Sequence, residues 1–107
     1  MAQDFERHIQ RNIGSATTVF TSDSDDAVIG IRVANTHAST TVKVDVYVVN
    51  GGNNYYIIKN APVPAGGSLE LIDGGAKFVL QSGDALTIDA DASTSDWVVS
   101  RIDSIST

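Results

Sequence analysis

The sequence predicts an all-β fold: one antiparallel β-sandwich domain over residues 1–107, jelly-roll-like, with about eight or nine short strands. Three observations predict it. Valine and isoleucine number 12 and 10 against only 4 leucines. Such β-branched side chains, stiff at χ1, suit a pleated surface better than a helix. Apolar and polar residues alternate at period two in several segments. Clusters of Gly, Asn, Asp and Ser interrupt these segments about every 8–12 residues, the spacing of strands in a sandwich.

The first element, Phe5 to Ile13, fits two patterns. Ile9, Arg11 and Ile13 alternate as in a strand, whereas Phe5, Ile9 and Ile13 also fit helical i,i+4 spacing. The Thr-rich continuation from Thr17 to Thr21 favours extended structure for both. Ser22 to Ala27 (SDSDDA) reads as a turn, because Asp and Ser side chains bond nearby backbone N–H groups. Val28 to Asn35 is the next strand, with Ile29, Ile31 and Val33 on one face and Arg32 on the other. Asn35 to Thr40 is a loop.

Thr41 to Val49 carries the clearest alternation. Val42, Val44, Val46 and Val48 face one side, and Lys43, Asp45 and Tyr47 face the wetter side. Asn50 to Asn54 (NGGNN) is a tight hairpin turn, since Gly and Asn accept positive φ at low cost. Tyr55 to Lys59 returns with bulky residues on both faces, which predicts a central strand or one covered on both sides. One of its two apolar faces then needs a cover, either a loop such as Ala61 to Gly67 or a neighbouring subunit. Pro62 and Pro64 lack N–H donors, so Asn60 to Ser68 is expected to be a crossing loop rather than a central strand. Leu69 to Ile72, Ala76 to Gln81, Ala85 to Ala92 and Trp97 to Ile105 complete the strands. The turns between them are Asp73 to Gly75, Ser82 to Asp84 and Asp91 to Asp96. In Ala85 to Ala92, Leu86, Ile88 and Ala90 face in.

Charge narrows the function. Seven basic residues face 13 acids, a net charge of −6. A duplex binder displaces counterions with lysine and arginine, and the seven here are scattered, so neither nucleic acid nor an anionic membrane is an expected partner. The absence of cysteine excludes disulfides, thiol nucleophiles and cysteine-based zinc sites. The first 14 residues, MAQDFERHIQRNIG, hold no apolar core of a signal peptide, and no apolar run approaches the roughly 18 residues of a membrane span.

Chemistry-bearing clusters are few. Asp23, Asp25 and Asp26 share one loop and could donate oxygens to Ca²⁺, yet the EF-hand pattern is absent, so a solvated turn is preferred and no cofactor is expected. Asp89 and Asp91 stand on one strand face about 7 Å apart by the strand rise. That separation also suits a glycosidase carboxylate pair. With no pocket in view, a charged surface is the preferred reading for them and for their neighbours Asp84 and Asp96. His8 and His37 sit in no motif, no Ser lies in G-x-S-x-G, and the Gly-rich stretches precede strands rather than helices. No enzyme is expected. Tyr47, Tyr55, Tyr56 and Trp97 form the most suggestive set, either an interface or glycan-stacking patch or, for Trp97 and one tyrosine, core.

Four segments are familiar in combination: VIGIRVAN (Val28 to Asn35), VKVDVYVV (Val42 to Val49), the long stretch from Asn53 to Ile88, and SRIDSIST (Ser100 to Thr107). They resemble small virion structural proteins of tailed bacteriophages, especially those infecting marine cyanobacteria. The most specific part is YYIIKNAPVPAGGSLEL followed by KFVLQSGD. The resemblance implies a non-enzymatic β-sandwich component of the particle, present in many copies. It further implies contacts with itself and with other virion proteins. No catalytic residues come with it. The alternative is a carbohydrate- or receptor-binding module of a phage fibre or cell surface.

Overall fold

The computed structural model describes residues 4–72 and 78–103. Nine strands are described: β1 (Asp4–Ile13), β2 (Thr17–Thr21), β3 (Asp26–Asn35), β4 (Val42–Asn50), β5 (Asn53–Val63), β6 (Ser68–Ile72), β7 (Phe78–Leu80), β8 (Ala85–Ala90) and β9 (Ser95–Asp103). The turn expected at Asp73 to Gly75, the first two residues of the strand expected from Ala76, and the end of the last strand at Ser104 and Ile105 lie outside the described residues. Among the described residues no helix is long and apolar enough to cross a membrane.

The strands form two antiparallel sheets. One runs β1-β9-β3-β6, with β7 also on β3; the other runs β2-β8-β4-β5. β6 pairs with β3 from Ile31 to Ala34 and β7 pairs with it from Asp26 to Val28, so the two are one edge strand in two pieces. Counted so, the first, eighth, third and sixth strands make one layer and the second, seventh, fourth and fifth the other. That is the double Greek key of a jelly roll, as the sequence predicts. β1 borders β2 on one side of the sandwich and β6 borders β5 on the other.

The core lies between the layers. Val42, Val44 and Val46 of β4 meet Ile31, Val33 and Val28 of β3, with Leu86 and Ile88 of β8 and Trp97 and Val99 of β9. All are essentially inaccessible to water. The β4 hairpin closes with Asn50 opposite Asn53, and Gly51 and Gly52 take φ of 59° and 82°. Positive φ at both central positions matches the strand twist, and a side chain there would be strained.

The structure corrects four local expectations. β3 begins at Asp26, two residues early, so Asp26 is not a solvated turn residue but fully buried. A bulge between Val28 and Gly30 makes Ile29 the extra residue, and Val28 takes the core position instead. β5 is an edge strand rather than a central one, since among the described residues it pairs only with β4, and Tyr55 and Tyr56 are left exposed on it rather than covered. Asn60 to Val63 continues that edge strand rather than forming a crossing loop. Pro62 is tolerated there because an edge strand has one side with no ladder to supply.

β1 turns its apolar side outward. Phe5 and Ile9 are 78% and 61% exposed, while Glu6, His8 and Gln10 point between the sheets. A bulge between Gln10 and Ile13, with Asn12 at φ 55°, brings Ile13 back onto the core. Asp96 holds the bulge by accepting the Asn12 N–H at 2.9 Å.

Candidate functional site

The inward side of β1 carries Glu6 and His8 to one end of the sandwich. The inward side of β9 carries Arg101 to the same place, because it continues the Trp97, Val99 alternation. Arg101 donates to Asp26 Oδ2 at 2.6 Å, to Glu6 Oε1 at 3.2 Å and to His8 Nε2 at 3.0 Å. Its guanidinium lies 4.2 Å from the Phe20 ring centroid, and the His8 ring stacks on Phe20 at 4.8 Å. Ser22 Oγ donates to Asp26 Oδ2 at 2.6 Å, and Asp103 Oδ1 stands 3.7 Å from the guanidinium. A charge removed from water is tolerable only when paired and hydrogen-bonded, and here both conditions hold.

The cluster fixes the state of His8. Arg101 Nε–H donates to His8 Nε2, so that nitrogen must carry its lone pair. Burial holds the His8 pKa below 6.5, with the Arg101 charge adding to the effect and Glu6 opposing it. Asp103 is shifted upward, chiefly by hydrogen bonding to Asp26, then by partial burial and Glu6, against the pull of Arg101. The two act on stability with opposite signs. Just below pH 6.5 the unfolded chain binds a proton at His8 that the fold refuses, so stability falls as pH drops through that window. Just above pH 3.8 the folded chain holds the extra proton at Asp103, so acidification there restores some stability. We expect the urea midpoint to decrease between pH 7 and pH 5.5. His8→Gln, which keeps an acceptor for Arg101, should flatten that slope. Equal slopes in the two proteins would contradict the assignment.

This geometry accounts for Asp26, one of the three carboxylates considered for Ca²⁺: it faces inward onto Arg101 and also accepts the Ser22 and Ser24 hydroxyls at 2.6 and 3.3 Å. Among the described residues no three His, Asp or Glu side chains are grouped so as to hold a metal ion. The histidines are far apart. His37 caps its own loop, its Nδ1 accepting the N–H groups of Ser39 and Thr40. That loop hangs from buried Asn35, which donates to the Thr40 and Val63 carbonyls. Asn35 and the Asp26 cluster are at opposite ends of β3, about 30 Å apart by strand rise.

The aromatic set divides. Trp97 is core, 1% exposed, with Nε1 donating to Ser95 Oγ at 2.8 Å. Tyr47 is buried on the outer face of the four-stranded sheet, under Tyr56 at a ring separation of 4.9 Å. Burial raises its pKa, with Asp89 the next contributor. Tyr55 and Tyr56 remain exposed on the β5 edge strand, and Lys59 lies over the Tyr56 ring at 4.6 Å. Beside them Asp45 accepts the N–H of Asn60, a non-glycine residue at φ 57°, and pairs with Lys59 at 3.5 Å. Asp45 therefore clamps a bulge in β5. Asp89 lies opposite Asp45 in register, and Asp91 Oδ1 accepts the Lys43 N–H. Thr87, opposite Tyr47, keeps a buried hydroxyl without a hydrogen-bond partner among the described residues.

A further apolar surface is one that the sequence did not single out. On the outer face of the five-stranded sheet, Phe5, Ile102, Ala27 and Val79 align across four strands in register. A second row runs Ile9, Val98, Arg32 and Glu70. Phe5, Ile9, Val79 and Val98 are each more than 40% exposed. Between the rows lie Arg7, Ser100 and Gly30, and beside the second row opens a shallow groove of about 410 Å³ over Ala34 and Val98. The signal was present in the odd-numbered residues Phe5, Arg7, Ile9 and Arg11. It was masked because Phe5, Ile9 and Ile13 fit helical spacing as well as strand alternation.

No protein-family model matches the chain, and no curated protein sequence matches it.

Proposed function

We propose that this chain is a non-enzymatic structural protein of a bacteriophage virion, a jelly-roll building block that assembles with copies of itself and with other virion proteins. In this reading it is assembled in the host cytoplasm and ends in the particle. The observation that carries it is the outer face of the five-stranded sheet. Four exposed apolar side chains on three strands form a patch that a solitary soluble domain seldom leaves open. The β1 and β5 edges add two long rows of backbone groups with one side unpaired. The segment resemblance supports the phage assignment. The architecture is compatible with it, since jelly rolls occur among viral capsid and lectin domains, an analogy of fold only.

The same analogy leaves room for a second reading, a carbohydrate- or receptor-binding module of a fibre or cell surface. Exposed Tyr55 and Tyr56 favour it, because tyrosine offers a flat apolar face with a polar tip. Light scattering separates the two. The assembly reading expects a mass that rises above 11.3 kDa with concentration. A mass fixed at 11.3 kDa at high concentration, with a melting shift on glycan addition, would replace it with the second.

A further inference from the structure

We infer that copies of this chain stack head to tail, the outer face of the five-stranded sheet of one copy seating on the outer face of the four-stranded sheet of the next. This rests on the assembly reading above and names the surfaces it uses. The partner is identified by charge. On the first face Arg7 and Arg11 alternate with Phe5 and Ile9 along β1, and neither arginine has an ion-pair partner among the described residues. That face carries Arg7, Arg11 and Arg32 against two acids, Glu70 and Asp96. Glu70 is 3.1 Å from Arg32, and Asp96 accepts the Asn12 N–H. Placing this face against itself would set three arginines of each copy against two acids, an unfavourable excess of like charge.

The other outer face supplies what the first lacks. Asp89 and Asp91 have no ion-pair partner among the described residues, and Asp89 stands directly across from Asp45, an unfavourable like-charge pair on neighbouring strands. Lys59 is occupied by Asp45 and by the Tyr56 ring. An incoming guanidinium can pair with Asp89 or Asp91 and stack on the exposed Tyr56, the two contacts arginine makes best. Phe5 and Ile9 then meet tyrosine surface instead of water. Two different faces in contact make a heterologous interface, which repeats into a ring or an open column rather than stopping at two copies.

The test uses the full chain in three forms: wild type, R7E/R11E and D89K/D91K. Circular dichroism melts establish that each is folded. D89N/D91N, which removes charge but keeps acceptors for the Ala90 and Lys43 N–H groups, replaces the lysine variant if that one unfolds. Sedimentation should show each variant alone associating at least about tenfold more weakly than wild type, the loss expected for removing close charge pairs. An equimolar mixture of R7E/R11E with D89N/D91N should form a one-to-one dimer, because each brings one intact face, whereas with D89K/D91K the two reversed faces also complement each other and the mixture should regain larger assemblies. A mixture that stays monomeric, or an Asp-substituted variant that associates like wild type, would overturn the head-to-tail arrangement while leaving self-association standing. A wild type that stays at 11.3 kDa would overturn both.

Discussion

Asp26→Ala is expected to destabilise the fold by about 3–5 kcal/mol, the range seen when one partner of a buried ion pair is removed. Asp26 is wholly buried and Arg101 nearly so, and the variant leaves the guanidinium inside the sandwich with Glu6 and Asp103 as its remaining carboxylates among the described residues. It also removes one of the two acceptors of the Ser22 hydroxyl, leaving the Ser24 carbonyl. A domain of this size has a total stability of roughly 5–15 kcal/mol, so the variant should be partly unfolded at modest urea. The informative comparison is the double substitution Asp26→Leu with Arg101→Met. Replacing both charges with apolar groups of similar volume should cost much less than the two single changes combined. A loss below about 1 kcal/mol for Asp26→Ala would mean that the pair is solvated, contrary to its burial.

Trp97→Ala is the second large effect, about 3–5 kcal/mol by the usual cost of removing a buried aromatic. The indole is 1% exposed and fills the space between the sheets beside Ile31, Val33 and Val99. Trp97→Phe should cost less, since it keeps most of the apolar volume and forfeits mainly the hydrogen bond to Ser95 Oγ. Because Trp97 is the chain's one tryptophan, its fluorescence reports this site alone. Wild-type emission should be that of a buried indole and shift to the red only in the global urea transition. An early red shift would place the indole in water and contradict the core described here.

The parts of the fold legible in the sequence are those where one physical preference acts alone. The valine alternation of β4 admits a single reading, and so do the two glycines of its hairpin. The jelly-roll class follows from strand count and turn spacing. What was hidden depends on tertiary partners. The alternation of β1 is real, but apolar Phe5, Ile9 and polar Glu6, His8 compete for the inside. The polar set wins only because Arg101, 93 residues beyond His8, waits there to be neutralised. Asp26 reads as a turn residue for the same reason: its partner lies 75 residues away. Bulky residues on both sides of β5 suggested a central strand, whereas Tyr56 covers Tyr47 on one side and Ile57 and Ile58 pack towards the core. The candidate surface followed suit. Two of the four aromatics singled out are exposed, and the apolar face of the other sheet was not singled out.

Two outer faces of unlike character on one small sandwich are the basis of the proposed assembly. One is apolar with unpaired arginines, and the other is acidic with an exposed tyrosine. The most direct test is the amide spectrum of ¹⁵N-labelled protein recorded from dilute to concentrated solution. Stacking predicts concentration-dependent shifts and broadening at two separate sets of residues, 5–11 with Val98 on one sheet and Asp45, Tyr56 and 89–91 on the other. A spectrum that does not change with concentration, or changes confined to one face, would contradict it.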